Sequence, residues 1–525
     1  MRWSEKFPIV LAGALVAILF VSGTVLAAGA SGWPSAGHDL QNTRYQNTES
    51  KIKPSNAGSL TPRWVFTTGG DVSATPAVDD TAVYFPDWAG NLFALDRNTG
   101  AQIWSHQISE YTGIAGDVVR ATPAIAGDKL IFGDQAGYHQ GDGAYVMAVD
   151  RYTGNLIWKT QVETTIFPIV TQSAVVQGNT VYVGVASAEE AFAAFIPNYP
   201  CCAFRGSVLA LDANTGQILW KTYTVPEGYS GGSVWGSTPS VDRSRGSLYV
   251  TTGNNYSAPQ AVLDCVAAAG GDPGAMKACI SPDDHFDSIM ALDLKTGAIK
   301  WATTALPFDA WNVDCIPFFG DGSACPQPAG PDYDFGQGPA LFTVHTPGSE
   351  KPRDLVGAGQ KSGQYWALDA DTGAVVWVTQ VGPGGLNGGL QWGSATDGDR
   401  IYVSDSNSMH TPTTLLDNRT ITSGFYSALD AATGQILWQT PDPAGSTTQG
   451  AVTGANGVVY ACSMDTTGKM YALDAASGAI LWTYASGGSC NAGAAVSNGT
   501  VFWGSGYSNF GAGTPNNKLF AFGLP

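Results

Sequence analysis

Two short segments supply the donors that a hard cation prefers. Glu189 closes Gly184-Val-Ala-Ser-Ala-Glu, after the apolar stretch Thr180-Val-Tyr-Val, and Asn254 closes Thr-Thr-Gly-Asn. A carboxylate and an amide oxygen suit an ion such as calcium. Between them in the chain stands Trp235, in Gly-Gly-Ser233-Val-Trp-Gly, a flat apolar platform. Taken singly, Glu189 reads as a solvated loop carboxylate and Trp235 as core packing. A further stretch, Asp309-Ala-Trp311-Asn312-Val-Asp314, offers two carboxylates able to accept a proton from a substrate, a task that Asn312 cannot perform. Cys201 and Cys202 are adjacent, and such a pair can close only an eight-membered ring; separate partners or free thiols are the alternative.

Other chemistries lack their residues. The six histidines form no His-x-x-x-His or His-x-x-Glu-His group, so a zinc hydrolase has little support. No Gly-Lys-Ser/Thr phosphate loop and no dinucleotide fingerprint in a strand-turn-helix setting occurs, and no Cys-x-x-Cys-His for a covalently attached haem.

The scaffold that must position these residues is a repeat. Asp-x-x-(Thr/Ser)-Gly opens at Asp96, Asp150, Asp212, Asp293, Asp369, Asp430 and Asp474, and a tryptophan follows each aspartate by eight residues. Each copy predicts a β-hairpin: an apolar alternating strand, a turn whose glycine takes φ > 0, and a strand carrying a large aromatic. One hairpin cannot bury both faces, so the sheets must stack in a ring or solenoid. Segments such as Ala74-Thr-Pro-Ala-Val and Ser237-Thr-Pro-Ser-Val precede the hairpins and raise the count to eight, because the last, Ala492-Gly-Ala-Ala-Val, is followed only by Lys518-Leu-Phe-Ala-Phe-Gly-Leu-Pro. The strand missing there is expected from Leu60 to Phe66. The expected fold is all-β: an eight-bladed propeller of four-stranded antiparallel blades, with N- and C-terminal strands closing the last blade and removing free edges.

A length of 525 residues would ordinarily suggest several domains, but the repeat runs from about residue 64 to the end, so residues 31–525 read as one propeller domain. Long hairpin separations place extra loops in the third, fourth and fifth blades, where sites tend to lie; residues 260–284 contain an alanine-rich piece that suits a short helix. A net charge of −18 argues against nucleic acid and against adsorption to anionic membrane. Residues 1–30 have the form of a signal peptide: Arg2 and Lys6, an apolar run from Phe7 to Leu26, and Ala28-Gly29-Ala30 as a cleavage site. An uncleaved anchor is the alternative; after cleavage no stable membrane insertion is expected. Export permits disulfides. Cys265/Cys279 and Cys315/Cys325 lie within single irregular stretches and read as loop staples, with Cys462/Cys490 the remaining pair.

With its repeats and these segments, the chain resembles the pyrroloquinoline-quinone (PQQ) alcohol dehydrogenases, and among them most closely the polyvinyl-alcohol dehydrogenase type. The resemblance starts at Trp33-Pro34 and Asp39-Leu-Gln-Asn42-Thr-Arg-Tyr45 and runs to the truncated eighth repeat. It implies that Glu189 and Asn254 ligate Ca²⁺, or a lanthanide in some relatives. It also implies that Trp235, with Ser233 beside it, forms the floor under PQQ and that Thr171 bonds the cofactor. Arg120, in Gly-Asp-Val-Val-Arg, would pair with a PQQ carboxylate, and Lys361, in Gln-Lys-Ser-Gly, would stand near the quinone oxygens. Gln391 and Gln449 take places where relatives use other polar or aromatic contacts. The family carries an adjacent-cysteine ring against the cofactor one blade earlier than Cys201-Cys202. Relatives read Trp-Asp-x-Ala or Trp-Asp-x-Asp where the first aspartate takes the alcohol proton; with Asn312 in that place, Asp314 is expected as catalytic base if the loop is extended, and Asp309 second.

The function so implied is an exported, periplasmic or secreted quinoprotein that oxidises secondary alcohols, polyvinyl alcohol among them, and passes electrons to a separate cytochrome c or other acceptor. Two rivals share the repeat: a non-catalytic propeller acting as a binding or assembly scaffold, and a sugar or small-alcohol quinoprotein.

Overall fold

Every Asp-x-x-Thr/Ser-Gly segment folds as a turn whose geometry accounts for the whole motif. In the third copy, Asp212 Oδ1 accepts from the backbone N–H groups of Asn214 and Thr215 (3.0 and 2.9 Å) and from the Thr215 hydroxyl (3.0 Å), while Gly216 sits at φ +73°. The motif tryptophan donates from Nε1 to the residue after the turn aspartate of the next repeat: Trp158 to Ala213 (3.0 Å), Trp220 to Leu294 (3.2 Å), Trp438 to Ala475 (3.1 Å). The same indole lies on the next turn's glycine. A Cβ on Gly297 would stand 2.5 Å from Trp220 Cε3. The spacing therefore encodes a peg and a socket between successive sheets.

The computed structural model describes residue 1 and residues 31–139, 143–165, 167–345 and 351–525; the expected signal segment lies outside the described residues. Eight blades of four antiparallel strands form the ring, with Tyr45–Gln46 added in parallel to the seventh and Pro168–Ile169 added to the third. The first pairs Ala77–Val78, Ala82–Pro86, Asn91–Asp96 and Gln102–Gln107 in order from the axis outward. Apolar side chains of adjoining sheets interleave, as where Tyr84 and Ala94 of the first blade meet Leu130, Phe132 and Met147 of the second. The eighth blade is closed as expected, Thr61–Thr67 pairing antiparallel with Lys518–Gly523 and Val65 standing opposite Phe520. Trp64 then docks on Arg97 of the first blade (3.1 Å) and Trp482 on Leu60 (2.9 Å), which completes the ring.

The segment from Trp33 to Gln46 threads the axis and bonds the inner strand of one blade after another. Trp33 pairs with Val78, and the carbonyls of Pro34, Leu40, Gln41, Thr43 and Arg44 accept from Ile125, Val241, Leu341, Thr396 and Gly454. Arg44, buried, donates to the carbonyls of Val452 and Ala36 (2.8 and 2.6 Å). This plug lines a cavity of about 1480 Å³ at the mouth formed by the inner hairpin turns. Extra segments sit at the other mouth: a helix Glu189–Phe195 in the third blade, and in the fourth a helix pair, Gln260–Ala268 and Pro273–Cys279, joined by the Cys265–Cys279 disulfide. Cys315–Cys325 and Cys462–Cys490 are also paired.

The docking contact can be weighed directly. Gly297→Ala should cost about 2–4 kcal/mol, a left-handed φ (+71°) plus displacement of Trp220. Gly246→Ala, at φ +60° with open space around it, should cost only the backbone part, about 1–2 kcal/mol. Urea unfolding of both variants reads the difference; equal costs would mean that the tryptophan socket contributes nothing.

Candidate cofactor and active site

The propeller gathers the candidate residues by parity. In each blade the innermost strand runs antiparallel to the second, so residues before an innermost strand and residues after a second strand reach the same mouth. Arg120, Thr171, Trp235, Gln391 and Gln449 precede the innermost strands of blades two, three, four, six and seven. Glu189, Asn254 and Lys361 follow the second strands of blades three, four and five.

The centre of the group is Lys361. Its Nζ donates to Asp332 (2.8 Å) and Asp334 (2.9 Å) and stands 5.6 Å from the centroid of the Trp235 ring, within cation–π range. Burial alone would pull the ammonium down, but the charges of Asp332 and Asp334 outweigh it and hold Lys361 above its ordinary range. Asp334 Oδ1 also accepts the Asn254 N–H (2.6 Å). Asn254 spends its amide hydrogens on the carbonyls of Asn255 and Trp311 (3.0 and 2.8 Å), which leaves Oδ1 without a hydrogen bond among the described residues.

More acids surround this pair. Asp309 accepts the backbone N–H groups of Asp332 (3.2 Å) and Tyr333 (2.8 Å) and so holds the Asp332-Tyr333-Asp334 segment in place. Burial, with Asp334 adding to it, pushes the Asp309 carboxyl up to about 6 against those bonds. Burial and the neighbouring Asp309 raise Asp287 well above the carboxylate range. Half-buried Glu190 is pushed up to about 8 by burial and by Asp334, with Lys361 opposing. Glu190 thus lies within electrostatic reach of the lysine and its acids. Sequence reading had passed over Glu190, Asp332 and Asp334, although Asp332-Tyr333-Asp334 has the Asp-x-Asp spacing sought at 312–314.

Glu189 is fully buried and turned elsewhere. Its carboxylate accepts the Tyr199 hydroxyl (2.5 Å) and the N–H groups of Ala203 (2.8 and 3.0 Å) and Phe204 (2.8 Å), which grips the loop carrying the Cys201–Cys202 disulfide. Asp314 also lies in a separate environment. The stretch expected to be extended forms a 3-10 turn, Val313–Cys315, because Asn312 caps it through the Asp314 N–H (3.0 Å). Asp314 then accepts from Gly322 (3.0 Å) and Ala324 (2.6 Å) inside the Cys315–Cys325 loop. Asn312 Nδ2 lies 3.6 Å from Cys201 Sγ.

The other floor and wall residues are placed as follows. Trp235 is half-buried and meets Trp392 edge to face at 5.4 Å. The Arg120 guanidinium covers the other tryptophan at 4.3 Å and has no ion pair or hydrogen bond among the described residues. Thr171 shares a small cavity, about 60 Å³, with Arg120 and Trp392, and its buried hydroxyl has no partner. Ser233 is bonded to the Tyr256 hydroxyl (2.6 Å), and Gln391 flanks Gly336 opposite Trp235. No hydrogen bond or ion pair joins the Gln449 side chain to this group among the described residues.

These features fit a planar anion lying on Trp235 beside a hard cation. The buried Thr171 hydroxyl is costly to leave unsatisfied, and the Arg120 guanidinium and Asn254 Oδ1 are a donor and an acceptor without a protein hydrogen bond among the described residues, open to such a ligand pair. The acids add the charge that a multivalent ion requires.

Comparison with known proteins bears on the family and the fold. Residues 49–303 and 361–521 match the family PQQ_2, described as "Outer membrane protein assembly factor BamB". A polyvinylalcohol dehydrogenase from Pseudomonas sp is 28% identical over 459 residues, 82% of this chain and 64% of the relative. One from Sphingopyxis sp. (strain 113P3) is 31% identical over 429 residues, 78% and 59% respectively. The chain therefore spans about six-tenths of the length of these relatives. Among solved structures, quinohemoprotein alcohol dehydrogenase from Comamonas testosteroni superposes with TM-score 0.70 at 19% identity, covering 94% of this chain and 80% of that one. A europium-containing methanol dehydrogenase gives 0.67 at 17% identity, covering 94% and 98%. At such identities these likenesses show the fold.

Proposed function

The chain belongs to the PQQ-type quinoprotein alcohol dehydrogenase family, and we propose that it oxidises secondary alcohols, polyvinyl alcohol among them, with PQQ and a calcium- or lanthanide-class cation. The observation that supports this reading is the set of polar groups around Trp235 with no protein hydrogen-bond partner among the described residues: the buried Thr171 Oγ1, the half-buried Arg120 guanidinium and Asn254 Oδ1. A scaffold propeller would gain nothing from leaving them unpaired. The polymer as substrate comes from the names of the two relatives.

When bound, PQQ with its cation supplies an electrophilic carbonyl that accepts hydride from a carbinol carbon. Trp235 would provide its floor, Arg120 would pair with a carboxylate, and Lys361 would serve the quinone oxygens. Asn254 Oδ1, Glu190 and Asp334 would be the donors for the cation; in this reading Glu189 instead holds the loop of the Cys201–Cys202 disulfide, with Asn312 against Cys201. Asp332 accepts the hydroxyl proton, in place of Asp314. Asp309 is a positioning residue, since both its oxygens hold the backbone of residues 332–333. Electrons leave to a separate cytochrome c or comparable acceptor, and the four disulfides suit a periplasmic or secreted setting.

Calorimetry and thermal melts with PQQ and Ca²⁺ or La³⁺ test the reading. The acids make the cation response depend on pH. A carboxyl whose folded pKa is raised contributes stability below its unfolded value, near 4, and loses it as pH rises through the folded value. For Asp309 (about 6) and Glu190 (about 8) that window is roughly pH 4–8. The metal-free protein should therefore weaken across this range, and the cation should raise the melting temperature more at pH 8 than at pH 5. No uptake of PQQ at any cation concentration would favour the scaffold reading.

A further inference from the structure

We propose that the protein carries a docking strip for a neutral, hydroxylated polymer with a hydrocarbon backbone, running from its surface to the candidate site. This inference rests on the proposed function and deepens it by naming a surface for the polymeric substrate. The strip starts on the Cys315–Cys325 loop, where Phe318 is 95% and Phe319 54% exposed. Phe319 meets Phe195, itself 56% exposed, edge to face at 6.0 Å. Phe195 ends the helix that Glu189 and Glu190 begin, and Phe192 lies three residues before it, on the same helix face. Phe192 packs on Phe167 at 4.3 Å, and both border the apolar cluster against which Trp235 packs. The aromatic side chains thus run from solvent to the buried cluster of Ile169, Ala186 and Ala188 on which Trp235 also packs.

Its composition selects the occupant. Residues 191–199 and 315–320 contain no charged residue, on a chain of net charge −18. A charged electron-transfer partner would be steered by the acidic surface elsewhere rather than by this strip. A small alcohol needs no path of phenylalanines outside the site. A long chain alternating methylene and carbinol groups needs such a path, because its methylenes can lie on the rings while one carbinol reaches Asp332. Holding three phenylalanines in water on a disulfide-stapled loop and a helix end is costly unless something covers them.

The test compares substrates on PQQ-loaded wild type, Phe318→Ser/Phe319→Ser and Phe195→Ser, sites exposed enough to leave folding intact. With a dye acceptor, kcat/KM for polyvinyl alcohol should fall about tenfold through KM, the effect of about 1.4 kcal/mol of lost contact, while kcat/KM for 2-butanol and PQQ affinity stay unchanged. Equal losses on both substrates, or none, would overturn the proposal. So would a loss seen only with cytochrome c in place of the dye, which would assign the strip to the electron acceptor. Binding of polyvinyl alcohol to cofactor-free protein, followed by calorimetry, separates the two readings: if wild type takes up no PQQ, the functional reading fails, yet polymer binding that the serine variants lose still supports the strip and absence of binding overturns it.

Discussion

Asp332→Asn is expected to lower turnover by about 10²- to 10⁴-fold, the range for loss of a general base, while PQQ uptake changes little. The asparagine keeps the side chain's shape and an acceptor for Lys361, but it cannot take a proton. In the wild type, burial raises the Asp332 carboxyl well above its ordinary range, with Lys361 opposing and Asp334 and Glu190 adding to the rise. Only the ionised form can act as base, so the wild-type rate should climb with pH as Asp332 loses its proton, and the residual rate of the variant should not follow that limb. Asp314→Asn, made beside it, should keep near-full turnover, because Asp314 is occupied by the N–H groups of Gly322 and Ala324. Single-turnover reduction of bound PQQ measures both. A fully active Asp332 variant, or an Asp314 variant that alone loses the chemical step, would return the role to Asp314.

Lys361→Met should be costly to the fold itself. It leaves Asp332 and Asp334 buried without their shared cation, and removing one partner of a buried ion pair typically costs about 3–5 kcal/mol. The deficit should narrow as pH falls, because protonating the stranded carboxyls removes the unpaired charge, and it should widen as pH rises. Lys361→Met/Asp334→Asn should recover part of the loss, since one stranded charge has been removed. Urea unfolding at pH 5 and pH 8 reads all three proteins. A loss below about 1 kcal/mol at pH 8 would show that the lysine carries no more than an exposed ion pair does.

The two variants probe the part of the site that was hardest to read in advance. Trp235, Asn254, Lys361 and Arg120, expected at the site from the family resemblance, all reach one mouth of the propeller, because each follows or precedes a strand at a like place in its blade. The acids were not. Asp332 lies 23 residues beyond Asp309, across a disulfide-stapled insertion that breaks the spacing by which the base was sought. Glu189 and Glu190 are neighbours, and the helix they open turns one toward Ala203 and Phe204 and the other toward Lys361. Nothing in the chain order distinguishes them.

The sequence by itself determined the eight blades and the closure of the last by residues near Leu60–Phe66, and it made the loop disulfides an expectation that the structure bears out. Those features are local or periodic: the Asp-x-x-Thr-Gly turn satisfies its own hydrogen bonds within five residues, its glycine and the preceding tryptophan set the docking of the next sheet, and the three loop disulfides join cysteines 10, 14 and 28 residues apart. Only the tertiary structure decided which carboxylates face the lysine, where the Trp33–Gln46 segment goes, and that Phe167 meets Phe192 and Phe195 meets Phe319. These are contacts between blades and inserted loops. They depend on where a turn or helix points a side chain, and a rotation of one residue, about 100° on a helix, moves a carboxylate from one site to another.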